Sequence, residues 1–323
     1  MKVLYASDDK FAPILSVSIA SLCEANQNES NIDIFVIDDQ ISGENKHVLE
    51  NVVARYKRSI SFKQVIQKEE LKTISLNTDR GSLSQYSRLF IQDCLPDCDR
   101  ILYLDCDTLI VDSLDELYSA DLSGKTIGGV EDAFSIWHRR ALCLEENDIY
   151  INSGVMLIDL KKWKSENIEK MFLDEIIRRK GRFLQGDQGL INRILKGNIK
   201  KLSLRYDLMT YHYDFTYSEM IYYRKPYKYY SETEIETAKN DPAIIHFTSS
   251  FASMRPWQSM KSNHPFFPIW KSKYEDNGYM IITNPHTRFS FQSSILPRRI
   301  ILLLARLFHS YIKPKWWLLN DTK

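Results

Sequence analysis

The stretch LYLDCDTLIV, residues 102–111, decides how the chain is read. It is an apolar, strand-like run that carries two carboxylates, Asp105 and Asp107, on either side of Cys106. Buried carboxylates are costly unless they are paired or bound to a cation. Side chains at i and i+2 of an extended segment point the same way, so Asp105 and Asp107 are expected to converge while Cys106 faces the other side. Oxygen ligands of this kind suit Mg²⁺ or Mn²⁺, which complete their shell with water and substrate phosphates. The competing reading of so short a motif is a pair that caps a turn or the next helix.

Around this stretch, apolar runs alternate with segments of helical spacing. VLYAS (3–7), IDIFVID (32–38) and SISFKQVI (59–66) read as strands. Residues 13–23, opening on Pro13, and 41–56, with Val48, Leu49, Val52 and Val53 on one face, read as helices. SQYSRLFIQDCL (84–95) reads as a helix stopped by Pro96, and RILYLDCDTLIV (100–111) as the next strand. KTIGGVED (125–132) and YINSGVMLIDL (150–160) add two strands, and residues 165–180 a charged amphipathic helix. The alternation predicts an α/β fold, a mostly parallel sheet flanked by helices on both faces. Ligands of such sheets bind outside the carboxyl ends of the strands, where Asp8, Asp9, Asp105 and Asp107 fall. From about Asn263 the rhythm stops, which predicts an α/β unit over 1–262 and an aromatic, basic extension over 263–323.

The 323 residues, 44% hydrophobic and 26% charged, exclude long disordered or low-complexity stretches. A net charge of +1 makes no case for a nucleic-acid partner. The charge is uneven: six cations against Asp321 between Ile295 and Lys323 give +5 there and leave −4 on the rest. The five cysteines are odd in number, and the start MKVLYASDDK lacks the apolar run of a signal peptide. Reduced cytosolic thiols are therefore expected. Cys94 and Cys98 have no second pair at zinc-finger spacing.

Four further stretches carry candidate chemistry. In YASDD (5–9), Asp8 is placed either to accept from a base N–H or to cap the helix that follows. In YSRLF (86–90), Arg88 is placed to contact a phosphate or to fix a carboxylate. In FLQGDQGLIN (183–192), Asp187 and Gln188 lie between two glycines at a helix start. In AIIHFTS (243–249), followed by RPWQ (255–258), His246 leaves a short apolar strand as a third metal ligand or as a structural histidine.

Taken in order, YASDD, YSRL, RILYLDCDTLIVDSLDELY, GGVEDA, YINSGVMLIDLKKW, DQGLIN and HF…RPW resemble glycosyltransferase family 8 over about residues 2–260. That family includes bacterial lipopolysaccharide galactosyl- and glucosyltransferases, general-stress-type homologues and glycogenin. The resemblance implies a GT-A nucleotide-sugar-binding fold, a divalent cation (Mn²⁺, or Mg²⁺), a UDP-sugar donor such as UDP-glucose or UDP-galactose, and retention at the anomeric carbon. It implies Asp105, Asp107 and His246 as metal ligands, and Ala6 and Asp8 at the uridine. It implies Arg88 and Asp105 at the ribose and donor sugar, and Asp132, Asn152, Asp187 and Gln188 around the sugar. Gln188 falls where the family places a side chain on the β-face of the anomeric carbon. An amide is a poor nucleophile, so attack by the acceptor hydroxyl on the same face is expected, with a covalent intermediate through Asp187 as the other route. The sequence departs from the family pattern at Lys10 and Phe11, at Ser249, and at Arg255 after a longer loop. Arg255 can keep a lysine's charge role toward phosphate.

The implied acceptor is an oligosaccharide or lipid-linked glycan in surface polysaccharide or lipooligosaccharide assembly. A glycogenin-like self-glucosylating protein is the alternative, for which Tyr222, Tyr223, Tyr227, Tyr229 and Tyr230 are clustered; a non-catalytic nucleotide-sugar-binding protein is another. RRIILLLARLFHSYIKPKWW (298–317) carries Arg299, Arg306 and Lys313 at heptad spacing on an otherwise apolar helix, with Trp316 and Trp317 beside Lys315. It is too short, and Arg306 too central, to span a bilayer. It is expected to lie in the interface of an anionic membrane, at the inner face of the plasma membrane, the alternative being a last helix packed on the core.

Overall fold

The first strand, Lys2–Asp8 (β1), is buried at Val3, Leu4 and Tyr5 and lies near the middle of a seven-stranded sheet. The structure, a computed structural model, describes residues 1–64, 71, 74, 84–259, 262–280 and 296–320. The other strands of this sheet are Asp33–Asp39 (β2), Ser59–Gln64 (β3), Arg100–Leu104 (β4), Ile127–Glu131 (β6), Ile151–Asp159 (β7) and Ile199–Lys201 (β8). Their order is β3-β2-β1-β4-β7-β6-β8. Only β7 runs against its neighbours β4 and β6; every other pair is parallel. The fold is thus α/β with a mostly parallel sheet covered by helices. The helix Ala12–Ala25 opens with Pro13 in its first turn and buries residues on nearly every side. It is wedged between the sheet, the helix Gly43–Arg55 and the helix Phe267–Asp276. Ser42 starts the second of these helices by accepting a hydrogen bond from the Asn45 amide at 3.3 Å.

Residues 100–111 form two strands. β4 stops at Leu104, residues 105–107 form a turn, and Thr108–Ile110 (β5) enters a second, three-stranded sheet. The turn is closed by the Thr108 amide and hydroxyl, which donate to the Asp105 carbonyl at 3.3 and 2.8 Å. The reason is pairing: β5 lies antiparallel to Ile244–His246 (β10), which is itself parallel to Leu208–Met209 (β9). Asp105 and Asp107 therefore converge through a turn rather than through a strand pleat. Cys106 is tucked beneath β1, its thiol donating to the Ala6 carbonyl at 3.1 Å.

Two helices differ from expectation. The helix expected over 84–95 is a single turn, Ser84–Ser87. Beyond it Arg88 turns inward, and the Gln92 amide donates to Glu169 Oε1 at 2.7 Å instead of continuing a helix. The amphipathic helix expected over 165–180 spans Ile168–Arg178, set off from the helix Leu160–Ser165 by Asn167 at φ 52°. The last two residues of the strand expected over 59–66 lie outside the described residues.

The extension begins inside the main core. Trp270 is fully buried, 5.9 Å from the Trp257 ring and stacked at 4.7 Å on Tyr274. The chain ends in the helix Arg298–Arg306, the π-helical turn Leu307–Ile312 and the helix Lys313–Asn320. One face of this tail packs: Leu302, Ser310 and Pro314 are buried, and Arg298 pairs with Glu219 at 2.8 Å. The other face is apolar and open, with Leu304, Phe308, Ile312 and Trp316 each more than half exposed (51, 51, 57 and 58%). Among the described residues no helix is long and apolar enough to cross a membrane.

Candidate active site

The carboxyl ends of β1, β4 and β10 open onto a cavity of about 540 Å³. All the expected site residues line it: Ala6, Asp8, Arg88, Asp105, Asp107, Asp132, Asn152, Asp187, Gln188, His246 and Arg255. Its geometry falls into two groups of contacts.

The first group is a triad. His246 Nε2 lies 3.2 Å from Asp107 Oδ1 and 3.8 Å from Asp105 Oδ2, and one ligand atom from each of the three residues lies within 4.8 Å of the others. The β5–β10 register sets Thr108 opposite His246, and so joins residues more than a hundred positions apart. The amide of Phe247 also donates to the Asp107 carbonyl at 2.9 Å. Ligands about 2.1 Å from an octahedral ion are about 3.0 Å apart when adjacent and about 4.2 Å apart when opposite. The triad fits a divalent cation with only slight closure. The other imidazole nitrogen supports this: Nδ1 is 2.9 Å from Oδ1 of Asp207, a fully buried carboxylate just before β9. That contact directs Nε2 toward the two aspartates, the usual outer support of a metal-bound histidine. Burial opposes charge on His246, yet Asp207 and Asp107 hold its imidazole well above the ordinary range. The same negative field favours a bound cation.

Asp105 is held from behind. Its Oδ1 accepts from Tyr103 Oη at 2.9 Å and from Arg88 Nη2 at 2.8 Å, leaving Oδ2 for the triad. Arg88 also reaches Asp187 Oδ2 at 3.2 Å and the Ser153 carbonyl at 3.1 Å, over the Tyr103 ring at 4.6 Å. Arg88 thus fixes two carboxylates, one of the two roles open to it, while it also lines the cavity. Burial pushes the Asp187 carboxyl up to about 6, against the pull of Arg88.

The second group is a polar net around Gln188. Its Nε2 donates to Asp132 Oδ2 at 3.2 Å and to Tyr150 Oη at 3.0 Å, and its Oε1 accepts from the Ser153 amide at 3.4 Å. Asn152 Nδ2 also donates to Asp132 Oδ2, at 3.4 Å, and Tyr211 Oη donates to Asp132 Oδ1 at 3.0 Å. Every polar atom of the Gln188 amide is thus oriented, as a fixed dipole requires.

Asp8 lines the cavity but does not cap the first helix, whose N-cap Phe11 has no side-chain cap. Its Oδ1 accepts from the Phe11 amide at 3.0 Å, closing the turn that leads into that helix. Two departures from the family pattern meet here: Arg255 Nη2 donates to Ser249 Oγ at 2.8 Å while Nη1 lies 3.5 Å from Asp107 Oδ2. Phe11 packs edge-on against Trp257 at 6.3 Å in the same wall. Of the five clustered tyrosines, Tyr223 lines the cavity. The hydroxyls of Tyr227, Tyr229 and Tyr230 bond to Glu146, to Tyr211 and His212, and to the Leu202 carbonyl.

Sequence reasoning missed Gly154 and Asp207. A methyl group on Gly154 would overlap the His246 ring and come within 2.9 Å of Asp105 Oδ2. Its signal was a glycine inside an apolar strand, which marks close approach of another group. Asp207, in RYDLM, shares the signature of Asp105, an acid inside an apolar run. Lys313, expected in a stripe with Arg299 and Arg306, lines the cavity together with His309.

Residues 2–261 match the model of glycosyl transferase family 8. A putative glycosyltransferase of Haemophilus influenzae is 28% identical over 211 residues, which cover 64% of this chain and 63% of that protein's length. The lipopolysaccharide 1,2-glucosyltransferase of Escherichia coli is 26% identical over 83% of this chain and 77% of its own. Among solved structures, galactosyltransferase LgtC in complex with donor and acceptor sugar analogs superposes with a TM-score of 0.72 at 25% identity, covering 88% of this chain and 98% of that one. The architecture is the GT-A fold.

Proposed function

The chain belongs to glycosyl transferase family 8, and from that premise we propose that it moves a hexose, glucose or galactose, from a UDP-sugar to a glycan acceptor, with retention at the anomeric carbon. The acceptor is an oligosaccharide or lipid-linked glycan of bacterial surface polysaccharide or lipooligosaccharide. The observation that carries this reading is the Asp105–Asp107–His246 triad with Asp207 behind it.

Asp105, Asp107 and His246 would hold a divalent cation, Mn²⁺ or Mg²⁺, which when bound would supply Lewis-acid stabilisation of the negative charge on the donor diphosphate. Arg255, fixed by Ser249, adds a guanidinium to the same diphosphate. Ala6 and Asp8 receive the uridine, and Arg88 keeps Asp105 and Asp187 at the ribose and sugar. Asp132, Asn152 and Gln188 grip the hexose. As positive charge develops at the anomeric carbon, the Gln188 dipole and the Asp132 and Asp187 carboxyls stabilise it. A neutral amide tied at both ends is no nucleophile, so the acceptor hydroxyl attacks on the face that UDP leaves. Residues 1–262 act as the catalytic unit. The open face of the 263–323 extension lies on an anionic bilayer, at the inner surface of the plasma membrane, with Arg299, Arg306 and Lys315 at its edges.

The test is hydrolysis of UDP-glucose and UDP-galactose with Mn²⁺ and with a chelator. Slow hydrolysis of one sugar that stops on chelation is expected. No UDP binding and no hydrolysis of either would contradict the reading. Intact-mass measurement in the same mixture checks the self-glucosylating alternative at Tyr223.

A further inference from the structure

The cavity wall also gathers positive charge away from the triad. The helix Tyr217–Arg224 ends beside the π-helical turn Leu307–Ile312, and Ser310 Oγ joins them, lying 2.9 Å from the Tyr223 carbonyl and 3.0 Å from that of Arg224. Ser135 Oγ donates to the Ser310 carbonyl at 2.8 Å from the other side. This joint brings Arg224, His309 and Lys313 to one cavity. Single-turn π segments often mark functional positions in helices.

Arg224 is unusual among these. Its guanidinium sits between aromatic rings, 4.7 Å from Tyr211 and 5.3 Å from both Phe134 and Tyr223. Its Nε is shielded and has no hydrogen-bond partner, and among the described residues no carboxylate lies within ion-pair distance of the guanidinium. The nearest acid by its electrostatic effect is Asp132, whose oxygens are already taken by Gln188, Asn152 and Tyr211. The other neighbours are basic in type. Burial, with Arg224 and Lys313 nearby, holds His309 down at about 4. Burial and the same two charges keep His138, tilted against Phe134 at 4.6 Å, well below its usual range. A guanidinium packed among aromatic rings, with no carboxylate within ion-pair distance among the described residues, favours a bound anion.

We propose that Arg224, Lys313 and His309 form a subsite for a phosphate group carried by the acceptor. This rests on the glycosyltransferase reading of the cavity. A guanidinium, an ammonium and a neutral imidazole N–H can between them meet three phosphate oxygens. The donor diphosphate does not need them, because Arg255 stands against Asp107 at the triad. The same π-helical turn that faces His309 inward exposes Leu307, Phe308 and Ile312 outward, so a phosphate at a bilayer surface lies beside its apolar face. The shared chemistry has two sources, a phosphate ester on the acceptor sugar or the diphosphate of a lipid-linked glycan.

The full chain is assayed with Mn²⁺, the UDP-hexose it hydrolyses, and three acceptors: an octyl hexoside, its 6-phosphate, and a prenyl-diphosphate-linked hexose. The expected result is a KM about tenfold lower for one phosphate-bearing acceptor than for the neutral hexoside, the size of one charge-assisted hydrogen bond. Which acceptor gains identifies the source. Arg224→Gln and Lys313→Gln should each bring the ratio of the two KM values toward one, and Lys313→Arg should keep it. A ratio of one in the unaltered protein, or a ratio that neither glutamine variant moves, overturns the proposal. If donor hydrolysis is absent the transferase reading fails on its own. Calorimetric titration with inorganic phosphate, without metal, then decides: weaker binding by Lys313→Gln supports the subsite, and equal or absent binding overturns it.

Discussion

Replacing Gly154 by alanine should separate the metal site from the fold. The added methyl overlaps the His246 ring and lies 2.9 Å from both His246 Nδ1 and Asp105 Oδ2, where ordinary contact begins at 3.4 Å. Either the ring or the carboxylate must move by about half an ångström or more, while metal–ligand distances tolerate about 0.2 Å. The ring has nowhere to go. It is buried, tied to Asp207 at 2.9 Å, and carried by a strand paired on both sides. The expected loss in Mn²⁺ affinity is about a hundredfold, roughly 2.8 kcal/mol. Overpacking should also lower stability by about 1–3 kcal/mol. Calorimetric titration of Mn²⁺ in the presence of UDP reads the first quantity, and thermal unfolding followed by circular dichroism reads the second. Gly129→Ala is the control, because the atoms nearest its methyl belong to the Ile151 side chain. It should lose stability and keep its metal affinity. If Gly154→Ala bound Mn²⁺ as tightly as the unaltered protein, the reasoning about the triad would be refuted.

Three further outcomes follow from the same geometry. Asp207→Asn should weaken Mn²⁺ binding about 10- to 100-fold, because the amide no longer anchors Nδ1 as a charge, and the titration used for Gly154→Ala measures this. Gln188→Ala should lower kcat by about 10²-fold or more while UDP affinity in a fluorescence competition assay stays within twofold; an unchanged transfer rate would remove the role given to the amide. The double variant Phe308→Glu, Ile312→Glu alters two side chains that are more than half exposed, so it should leave thermal stability unchanged; it should cut sedimentation with anionic vesicles by tenfold or more, given about 1.5–3 kcal/mol for each apolar side chain withdrawn from the bilayer.

Strand and helix alternation was readable because each signal is local. The apolar run of β1, Pro13 in the first helix and the small residues of β6 announce themselves within ten positions. The break at Asp105 was not readable, since it depends on β10 pairing with β5 from more than a hundred residues away. The short helix at Ser84–Ser87 was hidden for a similar reason. Arg88 abandons helical geometry to reach Asp105 and Asp187, and neither lies near it in sequence. The residues placed in the cavity were legible as acids and amides in apolar surroundings, and the ordered family motifs joined them. Gly154 and Asp207 escaped because their work is steric and indirect: one makes room for His246, the other aims it. The tail was legible as amphipathic but not as two-sided, because heptad spacing does not reveal that a π-helical turn rotates Lys313 into the cavity.

The most direct test of the central claim is anomalous diffraction at the manganese edge from a crystal soaked with Mn²⁺ and UDP. The expected result is one strong peak bounded by Asp105 Oδ2, Asp107 Oδ1 and His246 Nε2, at about 2.0–2.3 Å from each, with the UDP phosphates on its open side. A peak elsewhere in the cavity, or UDP bound at full occupancy with the triad free of metal, would contradict it.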